Sequence, residues 1–203
     1  MVYPHLNSFA GRNTEMKKTL LTLAIIAATT LSAQAQAKGL NGNWVSEKPE
    51  DAGNKTFSTR EFSFDGDRWD VKFTLFLDEA KTMPVFLFKG VGSYSVAAKS
   101  RKVKGAREAV FRFDKKFVTL LTDNADLINN FGFAGCNLKK GNEQDITETG
   151  CSFLASKTAC GQEYDLVKMA GKKLFLGARP ADGNMCAVDK RPVALGHALI
   201  KKD

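Results

Sequence analysis

The chain has 203 residues, with 30 Lys and Arg against 22 Asp and Glu, 43% hydrophobic residues and a formal charge of +8. That length is one domain with a core of its own and leaves no room for a multidomain assembly. The basic balance favours anionic lipid headgroups or polysaccharide over nucleic acid as a charged partner, a solvated surface being the plainer alternative.

Met16-Lys17-Lys18, the apolar run from Thr19 to Ser32, and Ala33-Gln34-Ala35-Gln36-Ala37 read as a secretory signal cleaved after Ala37, or after Ala35. The run falls short of the roughly 18 consecutive apolar residues that a membrane span needs, and no cysteine follows it to take a lipid anchor. Residues 1–15 have no role in such a signal, so Met16 reads as the true start and 1–15 as a mis-called N-terminal extension. The expected signal is then 16–37, and the expected mature chain, 38–203, is a single β-barrel-like domain of 166 residues. Three cations (Arg12, Lys17, Lys18) and one anion (Glu15) leave with the leader, so the net charge stays positive at +6. The expected location is exported: periplasmic or secreted.

Beyond the leader the pattern is mostly β. Asn43 to Ser46 opens a strand after the Gly39-Leu40-Asn41-Gly42 turn, and Phe57 to Phe64 and Trp69 to Leu77 follow around Asp65-Gly66-Asp67. A two-residue loop there pairs even with odd positions and puts Phe62 and Phe64 on one face with Trp69, Val71 and Phe73. A three-residue loop would split that set between faces. Further strands are expected at Val85 to Lys89, Gly92 to Ala98, Ala106 to Asp114 and Phe117 to Thr122. A helix is expected to start at Thr122-Asp123, with Leu127, Ile128 and Phe131 on one side and Gly132 or Gly135 at its end. Asn137 to Thr149 is polar and aperiodic and reads as a loop. Gln162 to Met169 and Lys172 to Ala178 form a hairpin around Ala170-Gly171, and Ala194 to Lys201 closes the sheet. The expected class is all-β, mainly antiparallel: a curved sheet or lipocalin-like β-barrel with one short helix.

Four cysteines in an exported chain imply two disulfides, out of three pairings. Zinc is the competing reading, but no C-x-x-C spacing is present and the mature chain has a single histidine, His197. In the second hairpin Cys160 falls opposite about Ala181, within a loop's reach of Cys186. Cys160–Cys186 and Cys136–Cys151 are therefore the favoured pairs.

Catalytic signatures are sparse. Ser152 lies in Gly150-Cys151-Ser152-Phe153-Leu154, which is not a hydrolase elbow, and any triad would have to use His197. Asp65, Asp67 and Asp70 lack the Gly and Glu of a calcium loop, having Asp70 and Phe76 at those positions. There is no P-loop and no dinucleotide fingerprint. We therefore expect no enzyme, no cofactor, no metal and no nucleic-acid partner. Asn54-Lys55-Thr56 fits a glycosylation acceptor. The basic run from Lys99 to Arg107 has no interleaved aromatics for base stacking, and Arg101 and Arg107 are candidates for a headgroup or anionic envelope partner.

Of the 15 phenylalanines, 14 follow the signal. Phe62, Phe64, Trp69, Val71, Phe73 and Leu75 share the face of the first hairpin. Periodicity alone fits either a filled core or the wall of a ligand cavity, because small barrels fill their interior and wider ones enclose a ligand.

Leu40-Asn41-Gly42-Asn43-Trp44 carries the G-x-W opening of a lipocalin. The order of "TREFSF" (Thr59 to Phe64), "FKGVGSYSV" (Phe88 to Val96), "KGAREAVFRF" (Lys104 to Phe113), "EYDLVKM" (Glu163 to Met169), "LFLG" (Leu174 to Gly177) and "KRPVALGHAL" (Lys190 to Leu199) resembles the domain of the adenomatosis polyposis coli down-regulated (drapolin) family. The resemblance covers most of the expected mature chain. It implies a β-barrel-like module with an apolar pocket for a lipid or acyl chain and no catalytic residue. The chain departs from the animal members in having one domain, no C-terminal anchor, and Glu47 where they carry a cysteine. These departures put a growth-factor partner in doubt. On this resemblance the apolar face becomes a cavity lining, joined by Phe86, Phe88, Tyr94, Phe111 and Phe113, with Arg60 and Arg107 as its polar groups. The function expected is an exported binder of a lipid, acyl chain or other apolar small molecule. The alternative is an envelope interaction protein with a filled core and a basic binding surface.

Overall fold

A computed structural model describes residues 39–202, so the expected leader and the extension before it lie outside the described residues. Ten strands run in chain order: β1 (Gly42–Ser46), β2 (Glu50–Gly53), β3 (Thr56–Asp65), β4 (Arg68–Phe76), β5 (Pro84–Lys99), β6 (Arg107–Leu120), β7 (Glu143–Asp145), β8 (Gln162–Ala170), β9 (Lys173–Gly177) and β10 (Leu195–Lys201). One short helix, α1 (Ala125–Asn130), lies between β6 and β7. The hydrogen-bonded order β1-β10-β9-β8-β6-β5-β4-β3 returns to β1, which closes an eight-stranded antiparallel barrel. The class is therefore all-β and lipocalin-like, as the alternating pattern indicates.

The first hairpin sets the barrel's register. Phe64 pairs with Trp69 and Asp65 with Arg68 around a Gly66-Asp67 loop, with Gly66 at φ 60°. That two-residue turn keeps Phe62, Phe64, Trp69, Val71 and Phe73 on one face.

Several boundaries differ from expectation. The expected pairs of strands at 85–98 and at 106–122 are each one long strand, β5 and β6, bent by a bulge between Val91 and Gly92. Gly90 and Gly92 do not end β5. Gly90 lets the Phe113 ring lie against the backbone, because a Cβ there would sit 2.7 Å from its Cε1. The helix starts at Asn124, not at Thr122-Asp123, since the Asn124 side chain accepts the backbone N–H of Leu127 at 3.1 Å. Gly132, at φ 71°, follows its end. β2 and β7 are strands that alternation misses, and β7 lies inside the expected 137–149 loop. Both are short, polar strands paired to one end of a longer neighbour, β2 to β3 and β7 to β6.

β3 to β6 outlast the closed barrel at one end. Two apolar clusters result. The barrel cluster holds Leu40, Trp44, Phe62, Phe64, Trp69, Val71, Tyr94, Phe111, Phe113, Leu174 and Leu199, with further aliphatic residues. The second, on the extension, holds Leu75, Val85, Phe86, Val118 and Leu120 under Phe133, Ile146 and Cys151. Disulfides Cys136–Cys151 and Cys160–Cys186 form as favoured from the hairpin, with Cα separations of 5.8 and 5.3 Å. They indicate an oxidising compartment of extracellular type. Among the described residues no helix is long and apolar enough to cross a membrane.

Candidate functional site

Pairing across β3, β4, β5 and β6 lays the inward residues out as four rungs. The deepest is Phe64, Trp69, Gly92 and Phe113; above it come Phe62, Val71, Gly90 and Lys116. The third is Arg60, Phe73, Phe88 and Val118, and the fourth Ser58, Leu75, Phe86 and Leu120. Directly opposed residues of an antiparallel sheet share a face, so each rung is one row of neighbouring side chains.

The structure brings seven of the expected lining residues together in the barrel. Phe62, Phe64, Trp69, Val71, Tyr94, Phe111 and Phe113 are each at most 8% exposed. They pack ring to ring, with Trp69 centroids 4.8 Å from Phe111 and 5.2 Å from Phe113, and Phe64 5.0 Å from Tyr94. Trp69 Nε1 donates to the Arg112 carbonyl at 3.2 Å, and Trp44 Nε1 to the Leu40 carbonyl at 2.7 Å. This end of the lumen is occupied by side chains. Leu75 and Phe86 belong instead to the second cluster, and Phe73 packs against it. Phe88 packs against both clusters. On the third rung Phe73 and Phe88 face each other and both remain half-buried, between rungs whose apolar side chains are buried.

The three expected polar contacts do not converge. Arg60 stands at the end of the third rung, its Nη2 2.9 Å from Glu50 Oε1 and 3.2 Å from the His197 carbonyl. Ser46 Oγ donates to the same Glu50 oxygen at 2.8 Å and accepts the Arg60 backbone N–H at 2.8 Å. Arg101 is exposed in the β5–β6 turn, and Arg107 Nε donates to the Ala97 carbonyl at 2.9 Å.

Two buried titratable groups, one on a rung and one on β8, escape sequence reasoning. Lys116 points inward on the second rung and is 4% exposed. Its Nζ donates to the carbonyls of Ala155 and Cys160 at 2.9 and 2.7 Å and lies 4.3 Å from the Phe113 ring centroid. Burial pushes its pKa down. The expected strands end at Asp114 and resume at Phe117, which leaves Lys115 and Lys116 between them; the continuous β6 carries the alternation through the pair and puts one lysine on each face. Asp165, on β8, accepts the backbone N–H groups of Leu166 and Gly177 at 2.6 and 2.8 Å. Burial, with a smaller contribution from Glu163, pushes its carboxyl up to about 7. Glu163 itself holds Arg179 through two contacts of 3.0 and 2.8 Å.

All four cysteines are in disulfides. The Ser152 hydroxyl donates to the Phe131 carbonyl at 2.8 Å, and His197 lies exposed on β10. Outside the barrel, a groove of about 720 Å³ runs beside the Cys136–Cys151 bridge, lined by small and neutral polar residues such as Asn137, Gln144, Thr149 and Ser156. Its lining lacks the aromatic surface found on the rungs.

No protein-family model matches the chain. Fold and rungs together define a disulfide-bonded, lipocalin-like β-barrel whose lumen is filled at one end.

Proposed function

We propose that the protein is an exported, non-catalytic binding barrel that holds one end of a long apolar ligand, such as an acyl chain, on the third rung. The half-burial of Phe73 and Phe88, opposed on neighbouring strands between covered clusters, carries this reading. A chain laid across the two rings covers the apolar surface that neither cluster covers, worth about 1–2 kcal/mol per ring. Arg60, at the end of the same rung, supplies the polar group that orients a headgroup, as in other mainly apolar sites. The packed aromatics below act as the floor of this site. Resemblance to the drapolin family supports an acyl ligand, and the leader expected at 16–37 together with the two disulfides supports export.

Titration with a long-chain fatty acid bearing a polarity-sensitive fluorophore tests the reading. Saturable uptake is expected, weakened roughly tenfold in Phe73→Ser or Phe88→Ser, since about 1.4 kcal/mol is a factor of ten. Native mass spectrometry of protein from its own host should release a lipid-sized mass. A folded protein that takes up no probe, or variants that bind like the parent, would end the proposal.

A further inference from the structure

At the opposite end of β5 from Phe88, two neighbouring turns gather cations. The β5–β6 turn and its flanks carry Lys99, Arg101, Lys102, Lys104 and Arg107, and the β8–β9 hairpin carries Lys168 and Lys172. The pairing of β6 with β8 brings the two together: Arg107 lies opposite Val167, and Lys168 Nζ is 3.4 Å from the Lys104 carbonyl oxygen. The sequence presents the first group as one basic run; only the strand order adds the second.

Their charges are uncompensated. Ten ion pairs are made among the described residues, using Arg60, Arg68, Lys89, Lys115, Lys140, Lys173, Arg179, Lys190, Arg191 and Lys202, and none involves these seven. Glu108, the acidic residue beside Arg107, pairs with Arg191 at 3.6 Å. Five of the seven, Lys99, Arg101, Lys102, Lys104 and Lys172, are exposed. Like charges held this close repel one another, and an anionic partner removes that cost.

We infer that this end of the barrel docks on a lipid bilayer rich in anionic headgroups. The cations stand on hairpin tips, not along a groove, a geometry that meets a planar array of phosphates better than it wraps a polymer chain. No aromatic side chain interleaves them, so the contact is electrostatic and superficial. The β5–β6 hairpin also outruns the β3–β4 turn, which meets β5 only as far as Tyr94, whose amide donates to the Asp67 carbonyl at 2.8 Å, so its tip arrives first. The inference does not rest on the ligand reading, which concerns the other end of β5.

The test is co-sedimentation with phosphatidylcholine vesicles, with and without phosphatidylglycerol. Binding is expected only to the anionic vesicles, and to fall steeply with added salt. The combined variant Arg101→Ser, Lys102→Ser, Lys104→Ser and Lys168→Ser should lose about a hundredfold or more in affinity, since each basic group near such a surface is worth about fivefold. Lys48→Ser, Lys55→Ser, Lys81→Ser and Lys157→Ser together remove the same charge elsewhere and should leave most of the binding. Equal loss in both sets would reduce the effect to net charge and overturn the assigned surface. No binding to anionic vesicles, or binding to a soluble polyanion such as heparin in its place, would overturn it too.

Discussion

Gly90 on β5 gives Phe113 its place: the ring fills the space a side chain at 90 would take, with Cε1 2.7 Å from the ideal Cβ position. Phe88 stands 3.4 Å from the same point, so the glycine joins the filled barrel to the half-buried rung above it. Gly90→Ala must displace the Phe113 ring, which packs with its centroid 5.2 Å from that of Trp69. Overpacking of this kind costs about 1–3 kcal/mol. Urea unfolding should show that loss, with Tm lowered by about 2–4 °C per kcal/mol for a domain of this size. Phe113→Leu in the same background should recover part of it. An unchanged midpoint in Gly90→Ala would mean that the ring is not tightly held.

Asp165 should make the protein less stable as the solution becomes less acidic. Its carboxyl titrates at about 7 in the folded chain, against an ordinary value of 3.8. Below about pH 4 both folded and unfolded chains carry the proton, and the residue costs nothing. Between the two values the unfolded chain gives up its proton while the folded chain keeps it, so stability falls as pH rises, and above about 7 the loss is complete. The amount is on the order of a few kcal/mol. Asp165→Asn keeps an oxygen for the Leu166 and Gly177 amides and removes the charge. The variant should be the more stable protein at pH 8 and close to the parent at pH 4. Parallel denaturation curves across that range would refute the assignment.

The two disulfides should differ in what they hold. Cys136–Cys151 closes 15 residues and Cys160–Cys186 closes 26, so loss of either costs about 3 kcal/mol in the chain-entropy account. Removing the first by Cys136→Ser with Cys151→Ser should loosen the roof over Phe86. Hydrogen exchange should then speed up at Ile146, whose amide donates to the Lys116 carbonyl at 2.9 Å, and not at barrel amides. Removing the second frees the segment whose Cys160 carbonyl receives Lys116. Uniform acceleration in both variants would show that the extension and the barrel unfold as one unit.

The expected site residues were legible as one apolar face because alternation fixes side. Their division was not. Phe73 and Phe88 carry the same residue type and lie on the same face as Phe64 and Phe111, yet only the latter pair is fully covered: Phe64 and Phe111 lie within the barrel cluster, while Phe73 and Phe88 stand where it gives way to the second. Lys116 escapes notice for the reverse reason: a lysine pair between two expected strands has no inward position until a continuous β6 assigns its two members to opposite faces. Asp165 gave no signal at all, since its burial depends on the chain packed beside β8, with Pro192 lying against Gly177.

By itself the amino-acid sequence determined the antiparallel alternation and a two-residue turn within Asp65-Gly66-Asp67, and it favoured the cysteine pairing that forms. Each depends on residues near in the chain or on the register of one hairpin. Tertiary structure alone decided that eight strands close and that aromatic rings fill the lumen at one end. It also decided that Phe73 and Phe88 are left half-covered and that two basic turns become one surface. These outcomes depend on which distant strands become neighbours and how far each extends, and a local period carries no record of that.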